Sequence, residues 1–185
     1  MTSDALRSAK SCEWYSPPHI VEAARVALGG QIVLDPATCA AANDTVRAER
    51  YYSKGRAPLY NGGELMRWDA ATVFCNPPSG LVNEFWFRMI DGYGKREFDQ
   101  AIWIGYSLQQ LQTLQRFKTT PLDFPICFPK KRIAFISPAG DKKSPTHSNY
   151  ICYLPPVGDC LGVGVERFAR AFEIIGKVIN VNETT

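Results

Sequence analysis

The sequence predicts an α/β fold whose sheet is mostly parallel with an antiparallel end. In residues 19–117, amphipathic helical segments alternate with short apolar segments of strand length, which indicates a parallel sheet. The apolar segments are nearly continuous, as in strands buried on both faces. After residue 124 several strand-like segments follow one another without a helix, and these form the expected antiparallel end. We expect 185 residues to form one domain, with residues 1–12 as a flexible lead-in.

The composition excludes some classes of protein. The apolar content of 45% suffices for one core, and the net charge of +3 is compatible with a nucleic-acid partner without indicating one. No apolar run of about 18 residues predicts a membrane span, and residues 1–11 lack the apolar segment of a secretion signal. With two histidines and no C-x-x-C pair we expect no zinc site, and reduced, mostly buried cysteines in a cytoplasmic protein. The cysteines are Cys12, Cys39, Cys75, Cys127, Cys152 and Cys160.

The first predicted helix covers residues 19–28. Ser16 is the expected N-cap, and Pro17 is expected at the first helical position. Two aromatic residues, Trp14 and Tyr15, precede it. They could form an aromatic wall for a flat ligand, or they could simply anchor the helix to the core.

A buried strand is predicted for residues 31–34, and Asp35 follows at its carboxyl end. With the small residues Pro36 and Ala37 behind it, this carboxylate could hold an amine or hydroxyl of a ligand, or it could cap the next turn. No glycine-rich nucleotide loop follows, but small residues would still let a ligand approach the backbone closely. We expect residues 44–71 to be irregular. Their basic and aromatic side chains suit either nucleic-acid contact or a solvated loop.

The central strand ends in the segment Asn76-Pro77-Pro78-Ser79-Gly80. Each proline keeps the preceding residue out of the helical region, so this turn is stiff and extended. It lies at the carboxyl end of a strand, which is where ligands bind in open α/β sheets. The side-chain carbonyl of Asn76 and the backbone carbonyl of Pro77 could together accept both protons of a planar amine such as that of adenine. Such a site would act by positioning and electrostatics; otherwise the segment is only a turn.

The remaining elements complete the sheet. A helix is predicted at residues 81–91, then a strand at 100–105 that ends at Tyr106, and a helix capped by Ser107 that reaches about residue 117. Further strands are predicted at 124–128, 131–136, 150–154 and 177–181, with a helix at 163–175. The loop 137–148 is either a phosphate-facing loop or a solvated hairpin tip. Together with the preceding turn, it carries five basic residues that we predict to bind DNA: Lys130, Lys131, Arg132, Lys142 and Lys143.

An ordered set of motifs over residues 13–155 resembles the phage-type DNA N6-adenine methyltransferase family, a branch of the class I S-adenosylmethionine-dependent enzymes. The resemblance implies an abridged Rossmann-like methyltransferase sheet, with Asn76, Pro77, Pro78 and Ser79 at the catalytic centre. It also implies a cofactor site lined by Trp14, Tyr15, Pro17, Asp35, Pro36, Ala37, Asn43 and Asn76. The matching segments are Trp14-Tyr15-Ser16-Pro17, Asp35-Pro36-Ala37, Asn43, Gly62 with Trp68, Phe74-Cys75-Asn76-Pro77-Pro78 and Arg132-Ile133-Ala134-Phe135.

The chain departs from the family pattern in three ways. The family has an aromatic residue after Asn-Pro-Pro that stacks on the target base, a contact worth ~1–3 kcal/mol, whereas this chain has Ser79. Tyr106 and Tyr60 are the candidates to replace that ring. Only 36 residues separate Asp35 from Thr72, so the sheet is expected to be abridged, and no acid for the cofactor's ribose is assigned. No insertion could form a separate recognition domain, which predicts a short or degenerate target sequence.

The resemblance implies an enzyme that methylates adenine N6 in double-stranded DNA, in the cytoplasm of a bacterial host if the chain is phage-encoded. We expect the protein to be a monomer. Methylation of cytosine N4 is an alternative within the same chemistry, although Ser more often precedes Pro-Pro in such enzymes. Methylation of a protein glutamine is another, because those enzymes also use Asn-Pro-Pro-Tyr. A third alternative is a catalytically weak domain that binds DNA or cofactor.

Overall fold

A seven-stranded mixed sheet forms the centre of the protein, with helices on both faces. The computed structural model describes residues 14–53, 66–137, 142–143 and 148–180. The helices in these ranges are α1 (Pro18–Ala27), α2 (Ala40–Val46), α3 (Val82–Gly94), α4 (Leu108–Leu114) and α5 (Val163–Phe172). The strands are β1 (Leu34–Asp35), β2 (Arg50–Tyr51), β3 (Ala70–Cys75), β4 (Phe98–Gly105), β5 (Ile126–Pro129), β6 (Phe135–Ile136), β7 (Lys142–Lys143), β8 (Tyr150–Leu154) and β9 (Gly176–Ile179).

The sheet has the strand order β2-β1-β3-β4-β8-β5-β9. The pairs β1–β2, β1–β3 and β3–β4 are parallel, whereas β8 is antiparallel to both β4 and β5, and β9 is antiparallel to β5. The predicted α/β class, with a parallel part and an antiparallel end, is therefore confirmed. It follows from these pairings that β1 to β5 all point the same way, so their carboxyl ends share one edge of the sheet.

The two faces of the sheet are covered by different helices. One core packs α1 and α5 on residues such as Phe74, Ile102 and Ile151. The other packs α3 and α4 on residues of the opposite face, such as Cys75 and Trp103. Neighbouring positions along β3 and β4 point to opposite faces, so every position of these strands is buried from Thr72 and Ala101 onward. This explains the continuous apolar segments in the sequence.

The N-cap of helix α1 lies one residue later than predicted, although the helix itself begins one residue before the predicted range 19–28. Its N-cap is Pro17 and no side chain caps it, so the prediction of Ser16 as the N-cap is wrong. Pro18 occupies the first helical position and its ring keeps Pro17 extended, with φ −69° and ψ 151°. By contrast, Ser107 caps α4 as predicted, since its hydroxyl accepts a hydrogen bond from the Gln110 N–H at 3.0 Å.

The prediction of irregular structure throughout residues 44–71 is wrong in part, because α2 ends at Val46 and β2 lies within this segment. Strand β2 has two residues and is defined by pairing with β1, so it is too short to show a periodicity. Strand β1 is also shorter than predicted. The Thr72 hydroxyl accepts from the Val33 N–H at 2.9 Å and donates to the Gln31 carbonyl at 2.8 Å, replacing strand–strand hydrogen bonds there.

Three later elements are shorter than the sequence predicted. Helix α4 ends at Leu114 instead of near residue 117, and α5 ends at Phe172 instead of near 175. Only Phe135–Ile136 of the predicted strand 131–136 is a strand. In the part before Phe135, the Ile133 N–H donates to the side-chain carbonyl of Asn149 at 3.0 Å, so this N–H is not available for a hydrogen bond to a neighbouring strand.

The cysteines within the described residues are unpaired, and Cys75, Cys127 and Cys152 are buried as expected, while Cys160 is exposed. Burial raises the pKa of the Cys75 thiol well above its usual value, and the neighbouring charge of Asp35 adds to the effect. Cys75 therefore acts as a small core residue. No helix in the described ranges is long and apolar enough to cross a membrane.

We expect Gly176→Ala to lower the melting temperature markedly. A Cβ on Gly176 would lie 2.1 Å from the carbonyl oxygen of Phe128, which belongs to the neighbouring backbone and cannot rotate away. Overpacking of this kind costs about 1–3 kcal/mol. Gly94→Ala is the control, because a Cβ added at Gly94 would have nothing within 4 Å of it. Equal melting temperatures for the two variants in thermal denaturation would contradict the expected clash.

Candidate active site

Three polar residues of the predicted site lie at the carboxyl ends of adjacent strands. Asp35 ends β1, Asn76 follows β3 and Tyr106 follows β4. Leu34 pairs with Val73 and Cys75 pairs with Trp103, which fixes the register of these three strands. Asp35 and Asn76 therefore lie at one edge of the sheet, each at the carboxyl end of its strand as predicted.

The orientation of the Asn76 amide is set by the segment that precedes α1. Its Nδ2 donates to the backbone carbonyl of Trp14 at 2.8 Å. With the nitrogen held in this way, Oδ1 remains an acceptor on a partly exposed side chain. Pro77 is buried behind it and Pro78 is extended, with φ −58° and ψ 137°, before the short 3-10 helix Ser79–Leu81. The turn is thus extended at Pro78, as the two prolines predicted.

Asp35 is a buried carboxyl group, 2% exposed. Desolvation raises its pKa from 3.8 to about 7, although hydrogen bonds from the Ala37 backbone and the Thr38 side chain oppose the increase. The Ala37 N–H reaches Oδ1 at 3.0 Å. Within the part of the chain that the structure describes, Asp35 forms no ion pair. Such a carboxylate suits a cationic or hydrogen-bond-donating ligand group.

The other predicted cofactor residues take different places. Trp14 is 37% exposed beside Asn76, whereas Pro17 and Pro36 are buried. The Tyr15 hydroxyl accepts from the Cys39 thiol at 3.4 Å, which brings it to the loop that follows Asp35. Asn43 donates to the Ala48 carbonyl at 3.2 Å and accepts from the Ala48 N–H at 2.9 Å. Its amide therefore closes the turn after α2, and a contact with cofactor stays a prediction.

Three of the predicted DNA-binding residues, Lys130, Lys131 and Arg132, begin the segment 130–136 that leaves β5 at the same edge of the sheet, which we call the basic segment. Lys131 and Arg132 are exposed. The Lys130 ammonium lies 3.5 Å from the carbonyls of Glu173 and Ile174 after α5. Strand β5 is three positions from β3 in the sheet, and neighbouring strands are spaced about 4.8 Å apart, so the basic segment begins roughly 14 Å from the Asn76 strand. Lys142 and Lys143 form β7, which pairs with β6.

The described residues include two aromatic residues on segments that adjoin Asn76, Tyr106 and Trp14, and replacement of the missing ring at Ser79 stays a prediction. Ser79 itself is exposed at the start of the 3-10 helix. Tyr106 is half-buried at the end of β4, and Trp14 lies beside Asn76 through its carbonyl contact. Tyr60, the other predicted candidate, and Gly62 of the motif set lie outside the described residues. Trp68 of that set is fully buried in the core.

The structure adds one residue to this edge that sequence reasoning missed. Asn149 is 3% exposed and precedes β8. Its Oδ1 accepts from the Ile133 N–H at 3.0 Å, and its Nδ2 donates to the Tyr106 carbonyl at 3.4 Å. It therefore ties the basic segment to the end of β4. A single asparagine in a polar loop gives no pattern by which this could have been predicted.

Within the described ranges, no cluster of three or more His, Cys, Asp or Glu side chains could hold a metal ion. Comparison of the chain with protein-family models, with curated proteins and with solved structures gave no match.

Proposed function

We propose that this chain transfers a methyl group from S-adenosylmethionine to the N6 amine of adenine in DNA, on an abridged class I methyltransferase fold. The observation that carries the proposal is the hydrogen bond that orients the Asn76 side-chain amide. Its amide nitrogen is held by the Trp14 carbonyl, so its oxygen is available at the carboxyl end of a central strand, next to the strand that ends in Asp35.

Asp35 supports a site for this cofactor. A buried carboxylate without an ionic partner in the described residues would gain from a ligand ammonium, and the cofactor's amino-acid end carries one. Trp14, Tyr15, Pro36 and Ala37 would line the same site, with the Ala37 N–H holding the carboxylate in place. When bound, the cofactor supplies a methyl group on a sulfonium centre.

Asn76 and Pro77 would hold the target amine. The Asn76 Oδ1 and the Pro77 carbonyl would accept the two N–H groups, which aims the nitrogen lone pair at the methyl group. Neither acceptor is a strong base, and none is required, because the methylated amine is cationic and loses its proton readily. Catalysis would therefore come mainly from fixed positions and fixed dipoles.

The basic segment supports a nucleic-acid substrate. An adenine must leave the duplex to reach Asn76, and the flanking phosphates would then lie along the sheet edge near Lys131 and Arg132, both exposed. Because recognition would use short loops, we propose a short or degenerate target sequence.

We expect the double variant Lys131→Ala/Arg132→Ala to raise the KM for DNA. Losing two phosphate contacts should also make the logarithmic dependence of DNA affinity on salt shallower by up to about 2. The control is Lys95→Ala, an exposed lysine at the opposite edge of the sheet, before β4. Equal salt dependence in wild type and the double variant, measured by fluorescence anisotropy, would remove the basic segment from the DNA interface.

The function itself is tested by incubating purified protein with S-adenosylmethionine and unmethylated DNA of mixed sequence. The DNA is then digested to nucleosides and analysed by mass spectrometry. N6-methyladenine that is absent with Asn76→Ala supports the proposal. N4-methylcytosine would keep the chemistry and change the base. Neither product, despite measurable cofactor binding, would favour a protein glutamine substrate or a domain that binds without turnover.

A further inference from the structure

The two residues Trp14 and Tyr15, which we name the strap, contact three separate parts of the candidate site. The Trp14 carbonyl accepts from the Asn76 amide at 2.8 Å. The Tyr15 hydroxyl accepts from the Cys39 thiol, on the loop after Asp35, at 3.4 Å. The Tyr15 backbone pairs with Ile136 in both directions, with N–O distances of 2.9 and 3.0 Å.

The contact with Ile136 joins the strap to the basic part of the edge. Ile136 belongs to β6, which pairs with β7. The same segment begins with the exposed Lys131 and Arg132, and the Asn149 side chain fixes its middle through the Ile133 N–H. The strap therefore forms an isolated antiparallel bridge to β6 on the side away from β7, so that Ile136 and Tyr15 hold each other through two backbone hydrogen bonds.

We propose that the strap is a positioning element that couples phosphate binding on the β6–β7 side to the orientation of the Asn76 amide. This inference rests on the proposed function. Phosphate contacts at Lys131 and Arg132 would order the segment that ends at Ile136. The two backbone hydrogen bonds between Ile136 and Tyr15 would then hold Tyr15 and the adjacent Trp14 carbonyl in place. That carbonyl is the acceptor that keeps the Asn76 nitrogen turned away from the substrate, so that Oδ1 faces the target amine.

A matched pair of variants at position 15 tests the coupling. Tyr15→Ala and Tyr15→Pro both remove the phenol, but only proline also removes the N–H that donates to the Ile136 carbonyl. Tyr15 forms an isolated antiparallel bridge with Ile136, and a proline at this position would keep the preceding residue, Trp14, extended. Both variants should weaken cofactor binding equally through the lost ring. The readouts are kcat, the KM for DNA, the cofactor Kd and the melting temperature.

We expect kcat of Tyr15→Pro to be about 10- to 100-fold below that of Tyr15→Ala, the range that a small misplacement of a reacting group produces. The cofactor Kd and the KM for DNA should be similar in the two variants. Equal kcat values would overturn the inference. So would a loss in Tyr15→Pro that appears only in the KM or the cofactor Kd, because that would indicate a binding role instead of a positioning one.

An independent measurement uses the wild-type protein and needs no turnover. Amide exchange followed by NMR should show that DNA slows exchange at the Tyr15 and Ile136 N–H groups in the wild type, and does not in Lys131→Ala/Arg132→Ala. If DNA slows exchange within residues 131–136 but not at Tyr15, or slows it nowhere, the coupling is overturned. This result can be obtained even if Tyr15→Pro fails to fold. If the wild type methylates no DNA, the proposed function fails, and the exchange experiment still decides whether the strap couples to the basic segment.

Discussion

Asn76→Ala should reduce methyl transfer by about 10²- to 10³-fold, the loss seen when one preorganised polar group is removed from an active site. The variant loses the acceptor for the target amine, while the buried carboxylate of Asp35 is untouched. Cofactor affinity, measured by calorimetry, should therefore stay close to that of the wild type. The variant should keep its fold, because Asn76 is partly exposed and, among the described residues, its side chain makes one hydrogen bond, to the Trp14 carbonyl.

Asn76→Asp separates the two functions of the amide. The aspartate keeps an oxygen for the target amine but loses the donor to the Trp14 carbonyl and places a negative charge beside it. We expect a kcat between those of Asn76→Ala and the wild type. Asn180→Ala is the matched control, since Asn180 follows β9 at the opposite edge of the sheet. Near-normal turnover by Asn76→Ala would show that the target amine is held elsewhere.

Asp35→Asn should produce the second large effect, a weaker cofactor affinity. Hydrogen bonds to charged groups contribute about 1.5–3 kcal/mol, so losing the carboxylate charge should raise the cofactor Kd roughly 10- to 100-fold. The amide can still accept from the Ala37 N–H, which should preserve the loop. Asp35→Ala should weaken cofactor binding as well. Asp99→Asn, an exposed carboxylate on β4, is the control.

The raised pKa of Asp35 also predicts that the stability of the protein depends on pH. Because the pKa rises from 3.8 to about 7 on folding, the folded protein binds the proton more tightly than the unfolded chain. The stabilisation from the protonated group is fully present below about pH 4 and is lost as the pH rises through about 7. In chemical denaturation, the free energy of unfolding of the wild type should fall over this range more steeply than that of Asp35→Asn.

Cofactor affinity should depend on pH in the opposite direction to stability. A ligand ammonium binds the ionised carboxylate, so affinity should fall below about pH 7, and binding near pH 6 should release a proton. Calorimetry in buffers with different ionisation enthalpies measures that proton directly. An affinity that is independent of pH between about 5 and 8, in both the wild type and Asp35→Asn, would show that the ammonium does not contact Asp35.

The sequence by itself determined the strand at Phe74 and Cys75 and the stiff turn at Asn76, because buried apolar runs and proline sterics act locally. It also placed Asp35 at the end of a strand. Since carboxyl ends of parallel strands meet at one edge, both residues lie at the same edge of the sheet. The Ser107 cap was predictable for the same local reason.

Only the tertiary structure decided what those side chains contact. Thr72 shortens β1, Asn149 holds the basic segment and the Trp14 carbonyl orients Asn76, and each contact joins residues far apart in the chain. The raised pKa of Asp35 likewise depends on burial by neighbouring elements. Local propensity contains no information about such pairings, because a side-chain hydrogen bond or a desolvated carboxylate is defined by which segments the fold brings together.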